Sequence, residues 1–269
     1  MAPKVTILIP NYRTRDLTCL CLRLLRRHTD PALARVMVID NGSDDASLDY
    51  LRQVDWIELV ERRPPPGEPP ALAHGRALDL GLARVETPYV LSLHSDTFVR
   101  RPDWLPLLLN HLESDPRVAG VGAWKQGERA PWRETLKDWE RAIERPLRRL
   151  FRRGAGRVEG QGDNWFYLRS HCALYRTELL RSLGLSFVEQ EAPVGKWLHR
   201  RLEQAGWRLV FVPIPTLERY LVHANRATQV LNPEIGIATR HRRRGLRRLR
   251  RLMAELEAPR LLADATLDR

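Results

Sequence analysis

The stretch VLSLHSDTFV, residues 90–99, is an apolar run that stops at His94-Ser95-Asp96 and resumes at Phe98. It reads as a buried strand with polar groups at its carboxyl end, where open α/β sheets bind their ligands. In an extended chain, side chains two residues apart project to the same side, so the His94 imidazole and the Asp96 carboxylate can share one ion. The competing reading is a strand end closed by a turn-forming Ser-Asp pair. The flanking sequence has to decide.

Outward from this point, strands and helices alternate. VTILIP (5–10), RVMVID (35–40) and WIELVE (56–61) read as strands. Between them, TRDLTCLCLRLLRRH (14–28) has apolar residues at helical spacing, and SDDASLDYLRQV (43–54) opens with helix-capping chemistry. ALAHGRALDLGLARV (71–85) is an amphipathic helix after the proline-rich loop RPPPGEPP (63–70), and RPDWLPLLLNHLES (101–114) starts a helix with Pro just inside it. VAGVGAW (118–124) begins a section interrupted by a basic, helix-like segment (134–153) and a glycine-rich loop, GAGRVEGQGDN (154–164). FYLRSHCALYRTELLRSLG (166–184) then reads as strand and helix, GKWLHRRLEQAGW (195–207) as a helix ended by Gly206, and RLVFVP (208–213) as a strand. This order predicts an α/β fold, a mostly parallel sheet with helices on both faces. Beyond about residue 225 the chain becomes a polar, basic, amphipathic tail.

The 269 residues suffice for a full core, and 43% hydrophobic with 29% charged residues is a soluble globular composition. No apolar run approaches the roughly 20 residues of a membrane helix, and MAPKVTILIP has no secretory pattern, so a cytoplasmic protein is expected. Cys19, Cys21 and Cys172 suggest no disulfide framework; Cys19-Leu20-Cys21 is too close for an ordinary bridge and lacks zinc spacing, and both are expected to be structural. The net charge of +12 is concentrated in RAIERPLRRLFRRGAGR (141–157) and RHRRRGLRRLRR (240–251). Nucleic acid, anionic lipid and phosphate-bearing substrates all suit such charge, and the plainest reading is a solvated face. Without zinc spacing, an RNP motif or an aromatic platform, nucleic acid is not expected as a partner. The absence of GxGxxG and of a P-loop argues against a dinucleotide oxidoreductase or an NTPase.

Three features converge at strand ends: Pro10-Asn11-Tyr12-Arg13, then Asp40 with NGSDD, then His94-Ser95-Asp96. Alone, Asp40 suits either helix capping or acceptance of a hydrogen bond from a ribose or base. In order and spacing, VTILIPNYR, VMVIDNGSDD and AHGRALDLGLARVETPYVLSLHSD together resemble family 2 glycosyltransferases of the GT-A fold, over roughly residues 4–100. The resemblance implies an αβα sandwich over 1–225, with a nucleotide-binding half (1–100) and an acceptor-side half (101–225), followed by a basic helical extension (226–269). It implies a nucleotide-sugar donor, with Pro10, Asn11, Tyr12, Arg13, Asp40, Gly42, Ser43, Asp44 and Ser95 around the nucleoside. His74 and Arg76 would lie near the diphosphate.

The family ends this strand in Asp-x-Asp to place a divalent cation on the diphosphate. Here His94 replaces the first aspartate. The resemblance therefore implies a cation, Mn2+ or Mg2+, on Asp96 with His94 and with His223 from YLVHANRAT, Mn2+ tolerating imidazole better. Inverting transfer needs a carboxylate base. Family members commonly use an acidic motif before the acceptor-side helix, where this chain has FVEQEAPVGKWL. Glu191 is the first candidate, then Glu189 and Asp163. Of the aromatic residues, Trp165 is the expected substrate contact, while Trp132, Phe166 and Trp197 suit a core.

The expected activity is transfer of a sugar onto a hydroxyl of a glycan or lipid-linked acceptor, as in polysaccharide synthesis. The Arg-rich segments would then lie on the inner face of an anionic membrane. The alternatives are a non-catalytic nucleotide-sugar-binding relative and, behind it, a nucleic-acid-binding protein.

Overall fold

The computed structural model describes residues 2–124, 165–189, 193–236 and 238–269. Trp132, Asp163, Glu191, the basic segment 134–153 and the loop 154–164 lie outside the described residues. The strands are β1 (Val5–Asn11), β2 (Ala34–Asp40), β3 (Ile57–Glu61), β4 (Tyr89–Leu93), β5 (Thr97–Val99), β6 (Val118–Gly122), β7 (Cys172–Arg176), β8 (Arg208–Phe211) and β9 (Leu221–His223). Seven form one sheet in the order β3-β2-β1-β4-β7-β6-β8, and β5 pairs with β9. Every pairing in the larger sheet is parallel except those of β7, which runs antiparallel to β4 and β6.

Alternation along the strands explains the layering. Val5, Ile7 and Ile9 of β1 point to one face and Leu8 to the other, and all are buried, so each face needs an apolar cover. On the first face lie α1 (Arg15–His28), α2 (Ala46–Leu51) and α4 (Trp104–Glu113). The second is covered by α3 (Pro70–Leu82), α5 (Thr177–Ser182) and α6 (Lys196–Gln204). Asp45, not Asp40, caps α2, accepting from the Ser47 N–H at 2.9 Å. Cys19, Cys21 and Cys172 are free and buried, and burial pushes the Cys172 thiol up to about 12. No helix among the described residues is long and apolar enough to cross a membrane.

The carboxyl-terminal residues do not trail away. After α7 (Ile214–Leu217) and α8 (Ala227–Leu231) come α9 (Thr239–Glu255) and α10 (Ala258–Ala263). Leu249, Leu252, Ala258 and Leu261 join the core of the first face. Beyond them Asp268 accepts from Arg23 Nε and from the Tyr50 hydroxyl, both at 2.9 Å, and also contacts Arg23 Nη2. Trp56 Nε1 donates to the Leu267 carbonyl at 2.9 Å, and Asp55 N to that of Asp268. Residues 226–269 thus close over α1, α2 and the start of β3.

The Arg23 side chain is 6% exposed and that of Asp268 14%. Replacing Asp268 with Ala leaves a buried guanidinium without its counter-charge, which typically costs about 3 kcal/mol or more. Urea unfolding of Asp268→Ala should show that loss, and an unchanged midpoint would mean the tail does not close the fold.

Candidate active site

Parallel pairing in the order β2-β1-β4 brings the three sequence motifs to one sheet edge, because all three strands end there. Asn11 stands opposite Asp40 in the register. Its amide donates to Asp40 Oδ1 at 2.7 Å and lies 3.1 Å from both Ser43 Oγ and Ser47 Oγ. Its carbonyl accepts from Thr18 Oγ1 at 2.7 Å. Asp40 is 1% exposed, and Ser43 takes up the rest of its carboxylate through its amide (3.0 Å) and hydroxyl (2.5 Å). Asp40 therefore ties the ends of β1 and β2 together and does not cap a helix. Gly42 completes this turn at φ 70°, and a Cβ there would come 2.8 Å from Pro64 Cδ. Arg13 joins the network, its N–H donating to Ser43 Oγ at 3.1 Å and its Nε to the Ser43 carbonyl at 2.9 Å, although its side chain is exposed; Tyr12 is half-buried and Asp44 exposed.

Arg76 and its surroundings differ from the expected diphosphate contact. Glu68, from the proline-rich loop, accepts from Arg76 Nη1 at 2.5 Å and from Arg62 Nη2 at 2.7 Å, with its own side chain 2% exposed. Arg62 also donates to Asn41 Oδ1 at 2.9 Å, so Glu68 fixes the loop after β2. Burial opposes the Glu68 carboxylate, but hydrogen bonds from the two guanidinium groups outweigh it and hold the carboxyl below its usual range.

At the end of β4 the chain turns through His94-Ser95-Asp96 into β5, and the pairing of Thr97 with His223 brings β9 alongside. His223 Nε2 lies 3.0 Å from Asp96 Oδ1, and His94 Nδ1 lies 3.7 Å from it. One ligand atom from each of His94, Asp96 and His223 lies within 4.8 Å of the others. The other oxygen, Oδ2, accepts from Ala227 N at 3.2 Å. Burial alone would raise the Asp96 carboxyl; His223, His94 and the Ala227 N–H outweigh it and keep the group ionised, well below the usual range. Thr14 Oγ1 lies 3.5 Å from Ser95 Oγ and 3.4 Å from Asn11 Oδ1, linking this turn to the network at Asn11.

Two more imidazoles pack here. His74, at the start of α3, meets His94 edge-on at 4.7 Å between ring centroids. His171 stacks on His223 at 4.7 Å and 14° between planes. Sequence reasoning missed His171, which follows from the antiparallel register: Leu93 pairs with Cys172, so His94 and His171 come next, joined by His94 N donating to the His171 carbonyl at 3.3 Å. Burial pushes the His74 imidazole down to about 4, and His94 and His171 well below their usual value. The sequence also gave no sign of Arg248. From α9 it donates to the Asn225 carbonyl at 2.9 Å, in the loop between His223 and Ala227, and the Asp96 charge acts on it.

Of the three candidate bases, Glu189 is held by Arg201 Nη1 at 2.8 Å, while Glu191 and Asp163 lie outside the described residues. Trp165 is half-buried, with Lys196 and Arg200 within 5.5 Å of its ring centre. Phe166, expected in a core, is 45% exposed. From here the chain runs through Arg169 to Ser170, whose hydroxyl lies 3.0 Å from His94 Nε2.

The family model described as Glycosyl transferase family 2 matches residues 6–184. No curated protein matches the chain. Among solved structures, the chain is similar to the mannosyltransferase PcManGT of Pyrobaculum calidifontis in complex with GDP-Man and Mn2+. The TM-score is 0.56 at 20% identity, over 79% of this chain and 55% of that one, so the chain spans about half the length of that enzyme. It is also similar to residues 1–349 of S. aureus TarS, with TM-score 0.56 and 16% identity over 93% of this chain and 72% of that one. TarS in complex with UDP-GlcNAc aligns at TM-score 0.50 and 18% identity, over 74% of this chain and 53% of that one. These likenesses establish the GT-A architecture, a seven-stranded, mostly parallel sheet between helical layers.

The Glu68 cluster has a testable pH signature. A carboxyl held low in the folded state contributes stability that is complete above its unfolded value and lost as pH falls through the folded one. The wild type should therefore lose this increment below about pH 4.5, the ordinary glutamate value. Glu68→Gln should show lower stability at neutral pH and a smaller acid dependence; parallel profiles would refute the cluster's role.

Proposed function

The chain belongs to glycosyl transferase family 2, and from that premise we propose that it moves one sugar, with inversion, from a nucleoside-diphosphate sugar to a hydroxyl of a glycan or lipid-linked acceptor. The observation that carries this reading is the His94–Asp96–His223 group, set where the ends of β1, β2 and β4 converge. These three side chains fit a divalent cation, Mn2+ or Mg2+: one ionised carboxylate and two imidazoles present ligand atoms within a few ångströms of one another. Bound there, the ion would stabilise the negative charge that builds on the departing nucleoside diphosphate.

The protein's own groups set the rest. The Asn11–Asp40–Ser43 network holds the tip of the nucleoside site rigid, leaving Tyr12, Arg13 and Asp44 as the groups that meet the nucleoside. With Arg76 bound to Glu68, Arg248 is the basic residue assigned to the diphosphate side, where the Asp96 charge already acts on it. A base accepts the proton of the attacking hydroxyl. Glu191 keeps that assignment ahead of Asp163, since Glu189 is engaged by Arg201. Phe166, exposed near Trp165, joins it as a surface for the acceptor sugar.

The test is a thermal-shift panel of UDP, GDP, dTDP and CDP, each with and without Mn2+. One nucleotide should raise the midpoint by mass action, worth about 2.7 kcal/mol at a hundredfold excess over its Kd. No shift with any of them would end the transferase reading. With the matching donor sugar, Glu191→Gln should keep the shift and lose about a hundredfold or more in turnover. Donor turnover also excludes a non-catalytic relative.

A lipid-linked acceptor is favoured by α9, whose Arg240, Arg243, Arg244, Arg247, Arg250 and Arg251 are exposed at helical spacing. Such a stripe suits the anionic inner face of a membrane. Flotation should recover the protein with anionic vesicles at low salt and not with neutral ones; equal recovery, or none, would remove the membrane from the proposal.

A further inference from the structure

Two residues of α3 hold the chain on either side of Glu191, the residue assigned as base. Resting on that assignment, we infer that Asp79 and Gly75 are positioning residues for the transfer step. They seat the segment that carries the base on the helix whose start packs against the ion site.

Asp79 stands in the last turn of α3, where the helix dipole disfavours a carboxylate, and burial raises its carboxyl above the ordinary value. Three hydrogen bonds from one loop offset that cost. Oδ1 accepts from Phe187 N at 2.6 Å, and Oδ2 from Ser186 Oγ at 2.6 Å and Val188 N at 3.2 Å. Bonds from two successive amides to a charged group fix the direction of the loop as well as its place. One turn earlier on the same face is Gly75, where a Cβ would overlap Val188 Cγ2 and stand 3.3 Å from Val194 Cγ2. Residues before and after Glu191 thus close on the same glycine. Gly195 N donates to the Phe187 carbonyl at 3.1 Å and joins the two sides again at the start of α6.

His74, next to Gly75, packs on His94 with ring centroids 4.7 Å apart. One helix therefore meets the ion site through His74 and the base-bearing segment through Gly75 and Asp79. Proton removal in the transition state depends on where the base stands, and a misplacement of about 1 Å costs about 100-fold. Donor binding does not depend on the base. A disturbed seat should therefore slow turnover and leave the donor KM alone.

The experiment uses the full chain with Mn2+ and follows release of nucleoside diphosphate from UDP-glucose, UDP-N-acetylglucosamine, GDP-mannose, dTDP-glucose and CDP-glucose. Water is the acceptor: its oxygen attacks the anomeric carbon, its proton passes to the base, and the nucleoside diphosphate leaves. On the donor that the wild type turns over, Gly75→Ala should lower kcat about a hundredfold without raising the donor KM. Trimming the partner, Gly75→Ala with Val188→Ala, should restore most of that loss, which a general weakening of the fold would not allow. Asp79→Asn keeps an acceptor for Phe187 N but not for Val188 N, and should lose about tenfold in kcat at the same KM, the worth of one hydrogen bond to a charged group. It reads the same outcome if Gly75→Ala does not fold. An unchanged kcat in Asp79→Asn, a donor KM that rises as kcat falls, or a double variant no faster than Gly75→Ala would each overturn the inference. Any of these beside a positive nucleotide panel and a slowed Glu191→Gln overturns the positioning alone, whereas a wild type that turns over no donor overturns it together with the transferase reading.

Discussion

One buried carboxylate organises the centre of this molecule. Asp96 is 4% exposed, and an ionised group at that depth survives only where partners surround it. Its partners come from distant parts of the chain. The short β5–β9 pairing delivers His223, the loop after β9 delivers the Ala227 amide, the turn out of β4 delivers His94, and α9 sets Arg248 within reach of its field. A GT-A sheet could form without this arrangement. The second sheet of two strands has its clearest use in holding these groups around one oxygen pair.

A division of labour follows between the two aspartates that the sequence motifs bring forward. Both sit at strand ends on the same edge, yet Asp40 has its oxygens filled by Asn11 and Ser43, while Asp96 keeps Oδ1 toward two imidazoles. The first is an internal fastener of the sheet edge, and the second is the one we propose for the ion. The same contrast separates two arginines. Arg76 is bound to Glu68, whereas Arg248 donates to the Asn225 carbonyl and feels the Asp96 charge.

Much of the layout was legible in the sequence. The apolar runs that became β1, β2 and β4 are long, bounded by turn residues and spaced by amphipathic helices, so their parallel order followed from pattern. His94, Asp96 and His223 were legible through resemblance. What stayed hidden depended on pairing between remote segments. His171 takes its place from the antiparallel register of β7 against β4, which no local period encodes. Arg248 is one of eight arginines in twelve residues, and only packing sets it apart from its exposed neighbours. Glu68 looked like part of a rigid linker because its partners, Arg62 and Arg76, lie on opposite sides of that linker. The tail read as an appendage because its few apolar residues are widely spaced among arginines, although Leu249, Leu252 and Leu261 suffice to join a core.

The closure of Asp268 on Arg23, across 245 positions of chain, bears on how the protein is made. The opening βα unit leaves the ribosome early, at a pace of about 5–20 residues per second. Yet its helix carries a guanidinium whose counter-charge lies 245 residues further along the chain. For that interval α1 presents an unmatched cation and an uncovered apolar side, and contacts so far apart are slow to form. Removal of the segment that carries Asp268 would therefore harm α1, an earlier-made part of the fold.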